Sequence, residues 1–400
     1  MRRSPIIVVA TIAVILASCS SSSKPHQSGA GASKYSSGVQ VPITSVRSPD
    51  FVDPLHGFGV VWVRHQGVIR SQLVVSNDGG RTWRASAQPL PAARYFTDLR
   101  FVDLEHGYAV ATDSSFPFIV TSNGGVTWHE APFQTIESQP NDVRPPAFAA
   151  YGSLVWALSA GCSAGGTSCQ SMLNISSDYG QNWRSEPVPV VVNAAYLGLF
   201  LVNNQEGYIL EESASAQWVL EATSDAAIGW SGEALPDSGT CPSLAFSAAP
   251  GGNLWVICGS GPATDMEAKT VYISTDGGAT WHVTGSTGPG GPLGPAATTN
   301  QPVALATAPV APALGNLPFP GTVSNSTMVA TSAQHAWVAF DRGAVQETSD
   351  AGLTWNLAFE YPNIGEDNLH LDVLDSTHAW AYDNASGIWS TSDGIHWTKL

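Results

Sequence analysis

Positive charge is scarce in this 400-residue chain. Lys and Arg number 16 against 32 Asp and Glu, and only four are lysines: Lys24, Lys34, Lys269 and Lys399. Such a surface repels nucleic acid and anionic headgroups, so a nucleic-acid partner is excluded, whereas cationic partners are drawn at long range. Its simplest consequence is solubility. Arginine is missing altogether between Arg184 and Arg342. Long apolar runs are missing as well. The one candidate, Ile6–Leu16, is too short and too close to the N-terminus for a stable span. Cysteine is sparse, with five in the chain.

What the chain has instead is repetition. Ser76–Trp83 reads SNDGGRTW, and near-copies follow at Thr121–Trp128, Ser176–Trp183, Thr223–Trp230, Ser274–Trp281 and Thr348–Trp355. A shortened copy, Thr391–Trp397, closes the sequence, so the tryptophans fall 45, 55, 47, 51, 74 and 42 residues apart. Self-similarity at this period marks a repeat architecture. Each copy follows an apolar run such as Leu73–Val75 and leads into another strand, so it joins two β-strands. Within it Ser76 and Asp78 accept hydrogen bonds from loop amides, Gly80 fits a positive-φ position, and Trp83 buries a ring. The corresponding staples are Asn123 and Trp128, Asp178 and Trp183, Asp225 and Trp230, Asp276 and Trp281, Asp350 and Trp355, and Asp393 and Trp397. Asn123 replaces Asp in the second copy, which suits a hydrogen-bonding role and would suit an acid catalyst badly.

A second signature lies upstream. Asp53–Phe58 matches Asp103–Tyr108, with echoes at Gln205–Tyr208, Gln334–Trp337 and Asp375–Trp380. It reads as the turn between a repeat's first two strands, with the aromatic entering the core. His56, His106, His335 and His378 sit at this one position in different repeats, so they disperse around the molecule and form no metal site. No catalytic residue and no cofactor site is assigned. The 362 residues from 39 to 400 give ~52 per repeat, the length of a four-stranded propeller blade with its loops. The expected fold is all-β: a single seven-bladed β-propeller of antiparallel blades with essentially no long helix. Its blades run roughly 40–86, 94–132, 146–187, 194–234, 241–284, 325–358 and 366–400. Whether Val39–Val46 adds a strand that fastens the ring is left open by the pattern.

The octapeptide resembles the Asp-box hairpin of sialidases, sortilin-type receptors and photosystem II assembly factors. Together with the upstream turn, residues 40–400 most resemble the photosystem II stability and assembly factor family. That resemblance implies a propeller that holds partner proteins while membrane complexes assemble. The sialidase alternative implies a carbohydrate-binding or glycoside hydrolase propeller, which needs three clustered arginines and two facing carboxylates. The long arginine gap and the lack of an early Arg-Ile-Pro element count against it.

The N-terminal segment 1–19 reads as an export signal: Arg2 and Arg3, the apolar stretch, then Leu16-Ala17-Ser18-Cys19, which resembles the bacterial lipobox. Cys19 would be lipidated, anchoring an extracytoplasmic, monomeric protein to a cell membrane. Residues 20–38 are a Ser/Gly/Ala-rich flexible tether. Without residues 1–18 the balance is 14 basic against 32 acidic residues, or −18. Four cysteines remain in an oxidising compartment, and the repeat frame selects Cys162–Cys169 and Cys241–Cys258 as disulfides. The Gly/Pro-rich stretch at 285–321 is an insertion, expected to be mobile. Short, stapled turns would occupy one face of the ring. Variable loops on the other (Pro132–Pro145, Gly161–Gln170, Ser260–Lys269 and the insertion) would meet the partner, an envelope protein or a glycan.

Overall fold

The computed structural model describes residues 38–65, 68–89, 96–111, 118–132, 147–162, 169–188, 196–212, 217–236, 241–260, 268–287, 294–295, 326–340, 344–360, 369–383 and 387–400. The proposed signal with Cys19, nearly all of the tether, and most of the insertion and variable loops lie outside them. The described strands form seven antiparallel sheets in chain order, each pairing its four strands (A to D) with their sequence neighbours. This is a seven-bladed β-propeller. The A strands of the seven blades are Arg47–Phe51, Phe96–Phe101, Ala147–Tyr151, Tyr196–Leu201, Ser243–Ala249, Thr327–Ala330 and His370–Val373.

The Asp-box copies occupy every C–D turn. Ser76 Oγ accepts the Gly80 N–H at 2.8 Å, and Asp78 accepts the Thr82 N–H at 2.8 Å and its hydroxyl at 2.7 Å. Asn123 repeats this, accepting from Thr127 N at 2.9 Å and donating to the Thr127 hydroxyl at 2.8 Å. The shortened seventh box keeps the design: Gly394 N–H reaches Thr391 one residue earlier, and His396 Nδ1 meets Asp393 at 2.7 Å in place of a hydroxyl. Gly79 and Gly80 have φ of 73° and 92°, values that admit glycine freely.

In all seven blades one amide of the Asp-box donates to a carbonyl of the same blade's A–B turn, from Gly79 N to Leu55 O (2.8 Å) through to Gly394 N to Thr377 O (3.0 Å). Both turn sets therefore share one face. The turn histidines bond locally: His56 to Asp53 (2.7 Å), His106 to Asp103 (2.9 Å) and His378 to Asp375 (3.1 Å), while His335 meets Thr331 at 2.8 Å.

The blades are joined by one repeated aromatic. The second register position of strand B holds Phe58, Tyr108, Trp156, Tyr208, Trp255, Trp337 and Trp380, all at most 2% exposed. Each packs on an aromatic of the next blade: Phe101, Phe148, Trp230, Phe246, Trp355, Trp397 and, closing the circle, Phe51. The upstream turn signature points to this residue in five blades. In blades 3 and 5 it does not, because Gly152-Ser153 and Gly251-Gly252 replace the His-Gly turn there.

The ring closes without a shared strand among the described residues. Gln40–Val41 pairs outside Trp83–Arg84 as a fifth strand of blade 1, leaving blade 7 to the four C-terminal strands. At this seam Trp380 stacks on Phe51 with centroids 3.8 Å apart and donates to Gly79 O at 3.1 Å. The incoming chain adds Ile43 and Val46 to the same apolar cluster. The seam is thus built like the other six interfaces, with a strap laid over it.

Two expectations need correction. Residues 285–287 complete strand D of blade 5, His282–Thr287, and Gly294–Pro295 pairs on its outer edge, so the insertion's start is part of the sheet. Among the box tryptophans, Trp83 and Trp355 are buried, whereas Trp128, Trp183, Trp230, Trp281 and Trp397 keep partial exposure. Trp83 gains cover from the Gln40–Val41 strand paired outside it.

Candidate ligand site at the channel mouth

The A strands surround the propeller's axis. At their C-terminal ends, under the stapled turns, the passage narrows to a 180 Å³ cavity whose lining includes Arg100, Tyr151, Leu201, Val329 and Leu374. At the opposite end it opens into a 760 Å³ cavity walled by blades 7, 1 and 2. Its wall runs from the N-terminal starts of their A strands (Arg47, Phe96 and His370) to the penultimate residues, with Trp62 and Tyr382 on the far parts of strands B from blades 1 and 7. It therefore lies on the side away from the Asp-box turns.

The polar groups there have distinct duties. Asp50, 4% exposed, accepts the Phe101 N–H of blade 2 at 2.5 Å and pairs with Arg100 Nη1 at 3.1 Å. Asp372, 7% exposed, accepts the Phe51 N–H of blade 1 at 2.5 Å, with Arg100 Nη1 at 3.9 Å. Ser247 occupies the same register position in blade 5 and accepts the Ala330 N–H of blade 6 at 2.9 Å. A buried acceptor on one A strand thus latches the next, satisfying an edge amide that no ladder reaches. Sequence reasoning passed over these three residues, since each is the last polar residue before an A–B turn and carries no motif.

Three further groups line the cavity without being latches. Asp98 is solvent-exposed by surface area, yet it sits deep within the ring. That enclosure pushes its carboxyl up to about 6, with Arg100 pulling it down and Asp50 adding to the rise. His370 is held below the usual imidazole range by burial, which the Asp383 charge opposes. Trp62 leaves 53% of its surface open, and the Arg47 guanidinium lies 5.7 Å from its ring centroid.

The box aspartates do not contribute to this cavity. The Thr280 hydroxyl and N–H, with Ser274, hold the Asp276 carboxyl at about 2. Backbone amides lower Asp178, Asp225 and Asp393 in the same way. A 540 Å³ cleft between blades 3 and 4 does reach Asp178 and Asn182, but these bond each other at 2.6 Å. A carboxyl depressed in the folded state contributes stability above its unfolded pKa of 3.8, and that contribution is lost as pH falls through the folded value. Asp276→Asn should therefore flatten the fall in melting temperature between about pH 4 and pH 2. Calorimetry across that range checks it. An unchanged acid limb would mean that the turn carboxylates play no part in acid stability.

Of the sequence-nominated cysteines, Cys241 and Cys258 form a disulfide with Cα atoms 5.4 Å apart, tying the lead into strand A of blade 5 to the end of its strand B. Cys162 ends strand B of blade 3 and Cys169 begins strand C, directly opposite one another in the ladder. Their side chains lie outside the described residues. Among the described residues no group of three His, Cys, Asp or Glu is placed to hold a metal. Nor is any helix there long and apolar enough to cross a membrane.

Residues 272–283, the fifth copy, match the family model of the BNR/Asp-box repeat. The chain is a seven-bladed β-propeller that carries this repeat in its fifth C–D turn. No match was found among curated proteins. Among solved structures, "YCF48 bound to D1 peptide" shares 16% identity with this propeller, covering 89% of this chain and 96% of that one at a TM-score of 0.52. YCF48 from Cyanidioschyzon merolae shares 14%, over 89% and 98% of the two chains, at 0.49. The Hadza microbial sialidase Hz136 shares 14%, over 89% of this chain and 66% of its own, at 0.45. Likeness at such identities establishes the fold alone.

Proposed function

We propose that this propeller is a membrane-anchored, extracytoplasmic protein-binding scaffold without enzymatic activity. The observation that carries the reading is the use to which the channel-mouth carboxylates are put. Asp50 and Asp372 are nearly buried and hold backbone amides of neighbouring blades. Among the described residues, Asp98 is the one remaining solvent-open carboxylate in the cavity. Hydrolysis of a glycosidic bond calls for two carboxyl groups flanking the substrate. Among the described residues, Arg47 and Arg100 are the arginines lining the cavity, Arg100 is already paired with Asp50, and a sialoside's carboxylate would need a free arginine cluster. What the mouth offers is an open aromatic, a carboxylate and a wide entrance, which suits recognition of a polypeptide segment. The peptide-bound YCF48 structure shares the fold and lends this reading support.

The anchor is the lipobox-like Leu16-Ala17-Ser18-Cys19, followed by the Ser/Gly-rich tether that lets the ring stand off the membrane. Metabolic labelling with a fatty-acid analogue should mark the wild-type chain, and Cys19→Ala should move an intact propeller out of the membrane fraction. An unlabelled wild-type chain in the culture fluid would refute the anchor. For the binding role, the purified protein should release no fluorophore from aryl sialosides or aryl glucosides, and cross-linking in cells should recover an envelope protein in stoichiometric yield. Turnover of either substrate would overturn the scaffold reading.

A further inference from the structure

The cavity is lopsided, and its asymmetry constrains the ligand. Blades 7, 1 and 2 supply Arg47, Trp62, Asp98, Arg100, His370 and Asp372. The positions in register with Asp98 and Arg100 hold Ala147 and Ala149 in blade 3, Gly198 and Phe200 in blade 4, Ala245 and Ser247 in blade 5, and Thr327 and Val329 in blade 6. Charge and open aromatic surface are thus concentrated on one side of the mouth. Arg100 is committed to Asp50 at 3.1 Å and faces Asp372 at 3.9 Å, which leaves it little field to offer an anion. His370 stays uncharged near neutral pH, because burial lowers it. Among the described residues the wall therefore sets three carboxylates against two guanidiniums, in a chain whose mature net charge is −18.

Trp62 shows what its ring accepts. The Arg47 guanidinium already lies over one side of it, while 53% of the side chain remains open. Indole is the strongest of the aromatic cation acceptors.

The geometry points to a subsite in this cavity for the cationic side chain of an extended peptide, its charged head against Asp98 and its aliphatic stem along Trp62. The inference rests on the protein-binding reading above and names the chemistry of the bound segment. An arginine or lysine on the partner would complete the charge balance that the ring leaves short. The groups facing Asp98 are Arg100 on its own strand, Arg47 and Asp50 from blade 1, and His370, Asp372 and Tyr382 from blade 7. A carboxyl raised to about 6 costs folded stability once it ionises, so stability falls as pH climbs from 3.8 towards 6. A bound cation offsets that cost. Because water screens the exposed carboxyl, Asp98→Asn should keep the wild-type melting temperature at pH 7.5 yet bind worse, a combination that a purely structural residue does not produce.

The test uses the mature chain in detergent and fluorescein-labelled Gly/Ser dodecapeptides bearing a central Arg-Arg, Lys-Lys, Gln-Gln or Glu-Glu pair. Anisotropy titrations should show the cationic pairs binding at least ~10-fold tighter than Gln-Gln. Asp98→Asn should remove most of that preference, and Trp62→Ala should weaken both cationic peptides. Wild-type affinity for Arg-Arg should rise from pH 5 to pH 7.5 and stay flat in Asp98→Asn. Equal binding of Gln-Gln, tighter binding of Glu-Glu, or an unchanged Asp98→Asn would overturn the subsite. If no peptide binds while cross-linking in cells still captures an envelope protein, the cationic subsite is wrong and the scaffold reading stands. If capture fails as well, both fall.

Discussion

Trp380→Ala should cost about 3–5 kcal/mol of folding stability, the range for truncating a fully buried aromatic. It should be the most damaging single substitution in the ring. Trp380 stacks on Phe51 across the seam at 3.8 Å, donates to Gly79 O of the blade 1 Asp-box at 3.1 Å, and has 2% of its surface exposed. Six of the seven interfaces join blades that the backbone also links in sequence. The seventh joins the two ends of the chain, so losing its aromatic frees blades 1 and 7 to separate. A lowered urea midpoint with earlier exposure of the terminal blades to protease checks this. Trp281→Ala, on the outer strand of blade 5 with its ring part-exposed, should cost distinctly less. Equal losses in the two variants would show that the seam is not a special point.

Asp50→Ala should cost about 1–3 kcal/mol, because the buried Phe101 N–H is left without its acceptor while the part-exposed Arg100 can turn to water. The Phe101 N–H would lose its acceptor, and Arg100 would keep Asp372 at 3.9 Å and the charge of Asp98. Asp50→Asn retains an acceptor for the amide but not the charge for Arg100, so its loss should lie between the wild type and Asp50→Ala. Thermal denaturation of the three proteins orders them. An Asp50→Ala protein as stable as the wild type would mean that the latches contribute nothing to the ring.

The fold was legible because its signal is repeated. Seven Asp-box turns at near-constant spacing state the blade count, and the matching turn at His56 and His106 places the A–B connection. The hydrogen bonds of Asp78 and Asn123 are local, spanning four residues or fewer, so sequence alone exposes them. The interblade links were not legible, for an equally physical reason. Asp50, Ser247 and Asp372 act on amides 51, 83 and 321 residues away, and a single polar residue within an apolar strand carries no sign of its distant partner. Trp156 and Trp255 could have been found by counting forward from the A–B turn in every repeat, including those where glycine replaces the His-Gly step. The ligand face illustrates both sides. The variable-loop face was chosen from loop lengths, and the 760 Å³ cavity lies away from the Asp-box turns. Among the described residues its charged wall comes from blades 7, 1 and 2.

A photo-cross-linking amino acid placed at position 62 and, in a separate strain, at Val126 on the Asp-box face would test the scaffold account most directly. Both side chains are about half exposed, so they sample the two faces on equal terms. The account predicts that irradiating cells traps an envelope protein through position 62, that the linked segment contains arginine or lysine, and that position 126 traps little. A protein partner captured only through position 126, or a glycan trapped at position 62, would contradict it.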